Sequence, residues 1–330
     1  NTMVKLLGVV SIFLFVKKPS DLYLYITLIV VYDLLGQLSM WLPAREHIRK
    51  PHLDLVYAKQ HIKPVVLLFL PQIAISLYIT LDRTMLGALS STKDVGIYDQ
   101  ALKLINILLT LVTSLGSVML PRVSNLLSSG NQKAVNKLHE MSFLVYNLVI
   151  FPMIAGILIV NNDFVQFFLG QDFQDARYAI AIMVFRMFFI GWTNIMGIQI
   201  LIPHNRNREF MLSTTIPAIF SVGLNLILIP PLGYIGASIV SVVTEGLVWL
   251  IQLYFTSDYL KEVKILPSML KILLAAFLMY GALYFIKTFI NFSSVVNVLI
   301  CSVLGFLVYG GLVLILRILD FQELKSIIKK

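Results

Sequence analysis

Charge is what this sequence has least of. Only 13% of its 330 residues are Asp, Glu, Lys or Arg, about half the share of a soluble globular chain. That scarcity excludes an ordinary water-exposed surface. There is one cysteine, Cys301, so no internal disulfide can form. It sits in an apolar run and reads as a packing or lipid-facing residue. Reaction chemistry is missing too. The sequence has no Gly-rich phosphate loop, no His-Glu-x-x-His, no Gly-x-Ser-x-Gly and no paired-cysteine motif. The expectation is a non-enzyme without a cofactor. Long polar connections are lacking as well. The longest, residues 43–62, leaves no room for a folded soluble domain.

What is present is hydrophobic: 58% of the residues are apolar, in runs that recur from end to end. Ten segments can be read, at 4–16, 22–42, 63–86, 95–120, 142–160, 178–202, 211–230, 235–256, 268–290 and 294–317. Roughly 20 apolar residues suffice to cross a hydrocarbon core. Barrel strands are about 10 residues long with alternating polarity, which does not fit. The fold class expected is all-α, a polytopic integral membrane helical bundle. The run 4–16 is short and follows Asn1 without an initiator Met. It reads as the tail of a helix that starts upstream, and no secretory signal is visible.

The net charge of +9 could point to nucleic acid, but its placement points to loops. One alternating set of loops plus the C-terminal tail holds 17 Lys and Arg, and the opposite set holds 5. By the positive-inside rule the first set and the C-terminus face the cytoplasm. Residues 43–63 contain His47, His52 and His61, whose spacing fits no metal site. A basic connector beside anionic lipid is the better reading. Residues 122–140 read as a turn and a short amphipathic helix along the membrane. The aromatic loop 161–177 reads as an interfacial helix. Pro121, Pro203 and the pair Pro230 and Pro231 are expected to end helices. The histidines are assigned to loops.

Function is carried by polar stripes on the apolar helices. With about 100° per residue, Lys103, Asn106, Thr110, Thr113, Ser114 and Ser117 fall within about 60° of Asp99. Gln72, Ser76, Thr80 and Arg83 share a face of 63–86. Arg186 and Thr193 share one with Gly197, as do Thr214, Ser221 and Asn225, and as do Ser238, Ser241, Glu245 and Gln252. The last two segments carry almost none, and Lys287 near the end of one can snorkel. Five converging stripes predict a solvated central cavity with the last two helices outside it. A charge at mid-bilayer costs about 2.5–3.5 kcal/mol on insertion scales. That makes Asp82, Arg83, Asp99, Lys103, Arg186 and Glu245 candidate functional residues. Bland readings stand beside this one: an Asp99–Lys103 pair within one helix, and Asp82 and Arg83 as anchors near a span end.

Five stretches together carry a family resemblance: DRTMLG (82–87), VGIYDQALKL (95–104), LPRVSNLL (120–127), ILIPHNRNREF (200–210) and NLILIPPLGYIGASIVSVVTE (225–245). In their order and spacing they resemble the Wzx-like polysaccharide flippases of the MOP superfamily, which are related to MATE exporters. The resemblance implies a MATE-like two-lobe architecture. Residues 1–61 would close a truncated N-terminal lobe and add a connector, 62–260 would be the six-helix C-terminal lobe, and 261–330 would be two peripheral helices and a tail. It implies a secondary transporter that flips undecaprenyl-pyrophosphate-linked oligosaccharide across a bacterial cytoplasmic membrane by alternating access. Arg83, Lys103, Arg186, Asn106 and Gln72 would contact substrate, and Asp82, Asp99 and Glu245 would gate or couple an ion. The partners implied are the lipid-linked oligosaccharide, membrane lipids and the polysaccharide polymerase machinery. A MATE-type drug or cation antiporter and a membrane enzyme of polysaccharide assembly are the alternatives.

Overall fold

The structure is a computed structural model. It describes residues 2–45, 80–289 and 293–318, with seven isolated positions between 62 and 76. Two compact units separate at His61.

The first unit is a helical hairpin of α1 (Thr2–Phe15) and α2 (Leu22–Ala44). Between them Pro19–Asp21 forms one 3-10 turn, with proline at its start, where a missing N–H costs nothing. The Asp21 carboxylate accepts the backbone N–H groups of Lys17 and Lys18 at 3.0 and 2.9 Å. These bonds hold its carboxyl below the usual carboxylate range. Gly8 lets the Tyr32 ring lie against the α1 backbone, where a Cβ would come within 3.0 Å of it. The Tyr32 hydroxyl meets Ser11 Oγ at 2.7 Å.

The second unit opens with the helical stretch α3 (80–89). It continues with α4 (Thr92–Ser128), α5 (Gln132–Phe164), α6 (Ala176–Met183), α7 (Arg186–Thr193), α8 (Asn207–Leu232), α9 (Tyr234–Leu260), α10 (Leu266–Phe289) and α11 (Ser294–Ile315). Eight helices among the described residues are long and apolar enough to span a bilayer, and Met3–Phe15 is a shorter apolar helix. In that count α6, α7 and the wide-pitched turn Asn194–Leu201 make one span. The chain is a multi-pass α-helical membrane protein. Of the segment expected at 63–86, residues 80–86 lie in α3, and 11 of the 24 residues lie outside the described ones.

Several expected boundaries move. No amphipathic surface helix separates 122 from 140, because α4 runs through Pro121 to Ser128 and α5 starts at Gln132. The true stop is Gly130, at φ 72°, a left-handed position that suits glycine. Asn131 then caps α5 by accepting the Ala134 N–H at 3.2 Å. Pro230 and Pro231 likewise lie inside α8 rather than ending it. That helix turns back at Gly233, at φ 55°. Spanning helices tolerate such prolines because neighbours compensate the lost backbone bond. The loop after α5 begins with a wide turn, Val165–Leu169, and then Gly170 and a 3-10 turn, Gln171–Phe173. Phe167 and Phe168 stay exposed there.

The core of this unit is built on α4, α5, α6, α7 and α9, around Tyr98, Leu102, Ile105, Phe143, Tyr146, Ile180 and Met187. Here α10 and α11 pack against α5. Lys287 lies in the last turn of α10. Its Nζ donates to Ile159 O at 2.8 Å and pairs with Asp163 at 2.5 Å, while Asn297 donates to the same carboxylate at 3.1 Å. Cys301 is free and buried, a packing residue between these helices.

A polar cavity between four helices is the candidate functional site

Neighbouring residues on a helix point about 100° apart, and α3 and α4 use this to place two acids differently. Asp82 turns inward and is 2% exposed. It accepts the Tyr98 hydroxyl at 3.1 Å and the Asn225 amide at 2.6 Å. The next residue, Arg83, turns to Asp99, the residue after Tyr98, at 2.9 Å. Lys103, one turn on, reaches the other Asp99 oxygen at 2.8 Å. The triad Arg83–Asp99–Lys103 is partly exposed, with Asp99 the most covered at 24%, so its ion pairs contribute less than a buried pair would.

The third charged group is of another kind. Arg186 begins α7 directly after the turn at Val184 and Phe185, and Glu245 lies mid-way along α9. Nη2 of Arg186 meets Oε1 of Glu245 at 3.1 Å, and their side chains are 2% and 6% exposed. Two charges held so far from water are tolerated because each neutralises the other.

A cavity of about 360 Å³ opens over this pair. Its walls come from α4 (Asn106, Thr110, Thr113), α7 with its wide turn (Thr193, Asn194), α8 (Phe210, Thr214) and α9 (Val248, Gln252). Asn194 opens the wide turn that follows α7. Asn194 Oδ1 accepts the Tyr146 hydroxyl at 2.7 Å. Gly116 makes room for it, since a Cβ there would overlap the Asn194 side chain. Gly197 similarly lies under the Phe210 ring.

Among the residues expected at a site, Asn106, Arg186 and Glu245 meet at this cavity. Arg83, Asp99 and Lys103 form their own cluster, and Asp82 belongs to the Tyr98–Asn225 cluster. Gln72 lies outside the described residues. So the stripe that begins at Asp99 splits: its outer turn pairs with Arg83, and its inner turns face the cavity. Asn194 was not anticipated, because a lone amide in an apolar span shows no period. His139 is a correction. It sits within α5, 2% exposed, with Nε2 at 3.1 Å from the Gln199 carbonyl. Ser142 donates to the Gln199 side chain at 2.7 Å. Among the described residues no cluster could hold a metal ion; His47, His52 and His61 lie outside them.

The model of one family, described as polysaccharide biosynthesis protein, matches residues 6–178, more than half of the chain. The chain belongs to that family. It is also similar to a "Putative O-antigen transporter" of Escherichia coli, 28% identical over 58% of this chain and 46% of that protein. To the "Probable low-salt glycan biosynthesis flippase Agl15" of Haloferax volcanii it is 22% identical, over 68% of this chain and 47% of that protein. A solved structure titled "Lipid II flippase MurJ, inward closed conformation" matches with a TM-score of 0.71 at 16% identity, over 90% of this chain and 63% of that one. That likeness shows the polytopic helical fold. The chain spans about half the length of these curated relatives.

Proposed function

We propose that this polysaccharide biosynthesis family member works as a secondary transporter that flips a lipid-linked oligosaccharide from the cytoplasmic to the outer leaflet of the cell membrane. The observation that carries the reading is the cavity over Arg186 and Glu245. It is a hollow lined by both polar and apolar side chains within a bundle of membrane-spanning helices, where irregular backbone and polar side chains persist only if they face a cavity or protein. The family and the names of the relatives agree with it. Residues 62–260 supply one six-helix lobe of a two-lobe transporter, and 261–330 add the peripheral pair and a cytoplasmic tail. The sugar head passes along the polar wall while the lipid tail stays in the bilayer. Asn106, Arg186, Arg83 and Lys103 act on the head group. Asp82, Asp99 and Glu245 gate the path or couple it to an ion, since each already exchanges hydrogen bonds or charge between two helices. Polysaccharide polymerase machinery is the downstream partner.

The test is a proteoliposome assay on the full-length protein. A fluorescent undecaprenyl-pyrophosphate oligosaccharide is placed in one leaflet, and its exposure to an external quencher is followed. Flipping above that of empty vesicles is expected. Export of ethidium without movement of the lipid-linked sugar would overturn the reading in favour of a cation antiporter. Sugar polymer formed in detergent, with no leaflet movement in vesicles, would overturn it in favour of an enzyme.

A further inference from the structure

The cavity wall has an uneven hydrogen-bonding character. A hydroxyl carries one donor and two acceptor lone pairs. Thr110 spends its donor on the Asn106 carbonyl at 2.8 Å, and Thr113 on Leu109 O at 3.0 Å. Thr193 spends its own on Ile190 O at 3.2 Å, and Thr214 on Met211 O at 3.0 Å. All four line the cavity, so each offers it lone pairs only. Gln252 extends the pattern. Its Nε2 donates to Ser213 Oγ at 3.1 Å. That orientation is fixed, because the Ser213 hydroxyl has already given its proton to Phe210 O at 2.8 Å. Gln252 Oε1 is therefore an acceptor. It is buried with no hydrogen-bond partner, on a residue 1% exposed that lines the cavity. Native structures rarely leave such a group unmet.

Charge does not reverse this bias. Arg186 and Glu245, the two charged residues lining the cavity among those described, face each other at 3.1 Å. An entering anion meets the carboxylate along with the guanidinium, so the attraction of one is opposed by the repulsion of the other. A pyrophosphate offers only acceptors to a wall on which acceptors, four threonine hydroxyls and Gln252 Oε1, outnumber the donors, the Asn106 and Asn194 amides and the Arg186 guanidinium. An uncharged sugar offers a ring of O–H donors, and an N-acetylated one adds an N–H.

We propose that this wall is a subsite for the hydroxyl and amide donors of neutral sugar units, and that the pyrophosphate of the carrier lies elsewhere. The inference rests on the flippase reading and specifies which part of the substrate this lobe holds. Gln252 is its specificity-determining residue, with Thr110 in support.

The experiment uses full-length protein in nanodiscs and two probes that share one tail: a farnesyl glycoside of an uncharged disaccharide, and farnesyl pyrophosphate. Binding is followed by tryptophan fluorescence. Gln252→Leu is expected to weaken the glycoside about fivefold, the worth of one typical hydrogen bond. Thr110→Val, which keeps the side-chain shape, is expected to weaken it about twofold, and it decides the matter if the Gln252 variant does not reach the membrane. Farnesyl pyrophosphate affinity should move by less than either. Three results overturn the subsite: wild-type protein that does not bind the glycoside, variants that leave glycoside affinity unchanged, or an equal loss for both probes. The leaflet assay separates the two readings. Glycoside binding that behaves as expected, with no flipping by wild type, removes the flippase reading and leaves the subsite. Flipping that both variants leave untouched does the opposite.

Discussion

The Arg186–Glu245 pair gives the sharpest test of how this lobe holds together. At 2% and 6% exposure, removing one member strands the other, and one-sided loss of a buried pair costs about 3–5 kcal/mol. Glu245→Leu and Arg186→Met should each lower the melting temperature of the full-length protein in detergent. With about 2–4 °C per kcal/mol for a chain of 150–250 residues, the drop is roughly 6–20 °C. Replacing both charges by apolar residues of similar volume should be near neutral, because the desolvation of two ions is relieved together. The double variant should therefore melt within about 3 °C of wild type, a coupling of more than 3 kcal/mol across the cycle. It should still fail to flip substrate, because the cavity has lost its polar floor. The assay is a scanning fluorescence melt on all four proteins, paired with leaflet exchange. Additive losses in the double variant would show that the two charges are not each other's main counterpart and refute the reasoning. Flipping by the double variant at the wild-type rate would detach the pair from transport.

Other expectations follow from single contacts. Asp82→Asn keeps shape but sets an amide N–H₂ against one of two donors, Tyr98 or Asn225. It should cost about 1–3 kcal/mol, read as a lower melting point, and an unchanged melt would deny the Asp82 cluster its structural weight. Gly236→Ala places a Cβ on the Leu228 carbonyl of the preceding helix. Forcing α8 and α9 apart should cost about 1–3 kcal/mol and reduce membrane abundance. Lys103→Met removes one arm of an exposed triad and should change stability by less than about 1 kcal/mol. A larger drop would mean the triad is shielded from water in the assembled protein. A green fluorescent reporter fused after Lys330 should fluoresce, and an alkaline phosphatase there should be inactive, if the C-terminus is cytoplasmic.

Much of the fold was legible because a bilayer permits few structures. Charge scarcity and long apolar runs identify spanning helices whatever the sequence detail. Ends were less legible, for a physical reason. The usual stop signals are calibrated in water, where a broken helix finds solvent partners. Pro121, Pro230 and Pro231 look like stops yet lie inside helices, while Gly130 and Gly233, with positive φ, are where the chain turns. The interruption between α6 and α7 carries no proline or glycine at Val184 and Phe185. It has no one-letter signature, although it directly precedes Arg186.

The site was legible as stripes and illegible as partners. Helical arithmetic placed Asn106, Thr110 and Thr113 on one face, and those three do line the cavity. The same arithmetic put Lys103 with them, because angle alone ignores depth along the helix. Lys103 sits one turn nearer the end, where Arg83 and Asp99 draw it away. Pairing also changes what a charge means. Counted singly, Arg186 is a cation inside a membrane and invites a phosphate. Placed 3.1 Å from Glu245, it is half of a neutral floor, and the hydrogen bonds of the threonines and Gln252 become the larger determinant of what fits. A polar stripe thus predicts that a cavity exists, while the direction of each hydroxyl proton decides what that cavity can recognise.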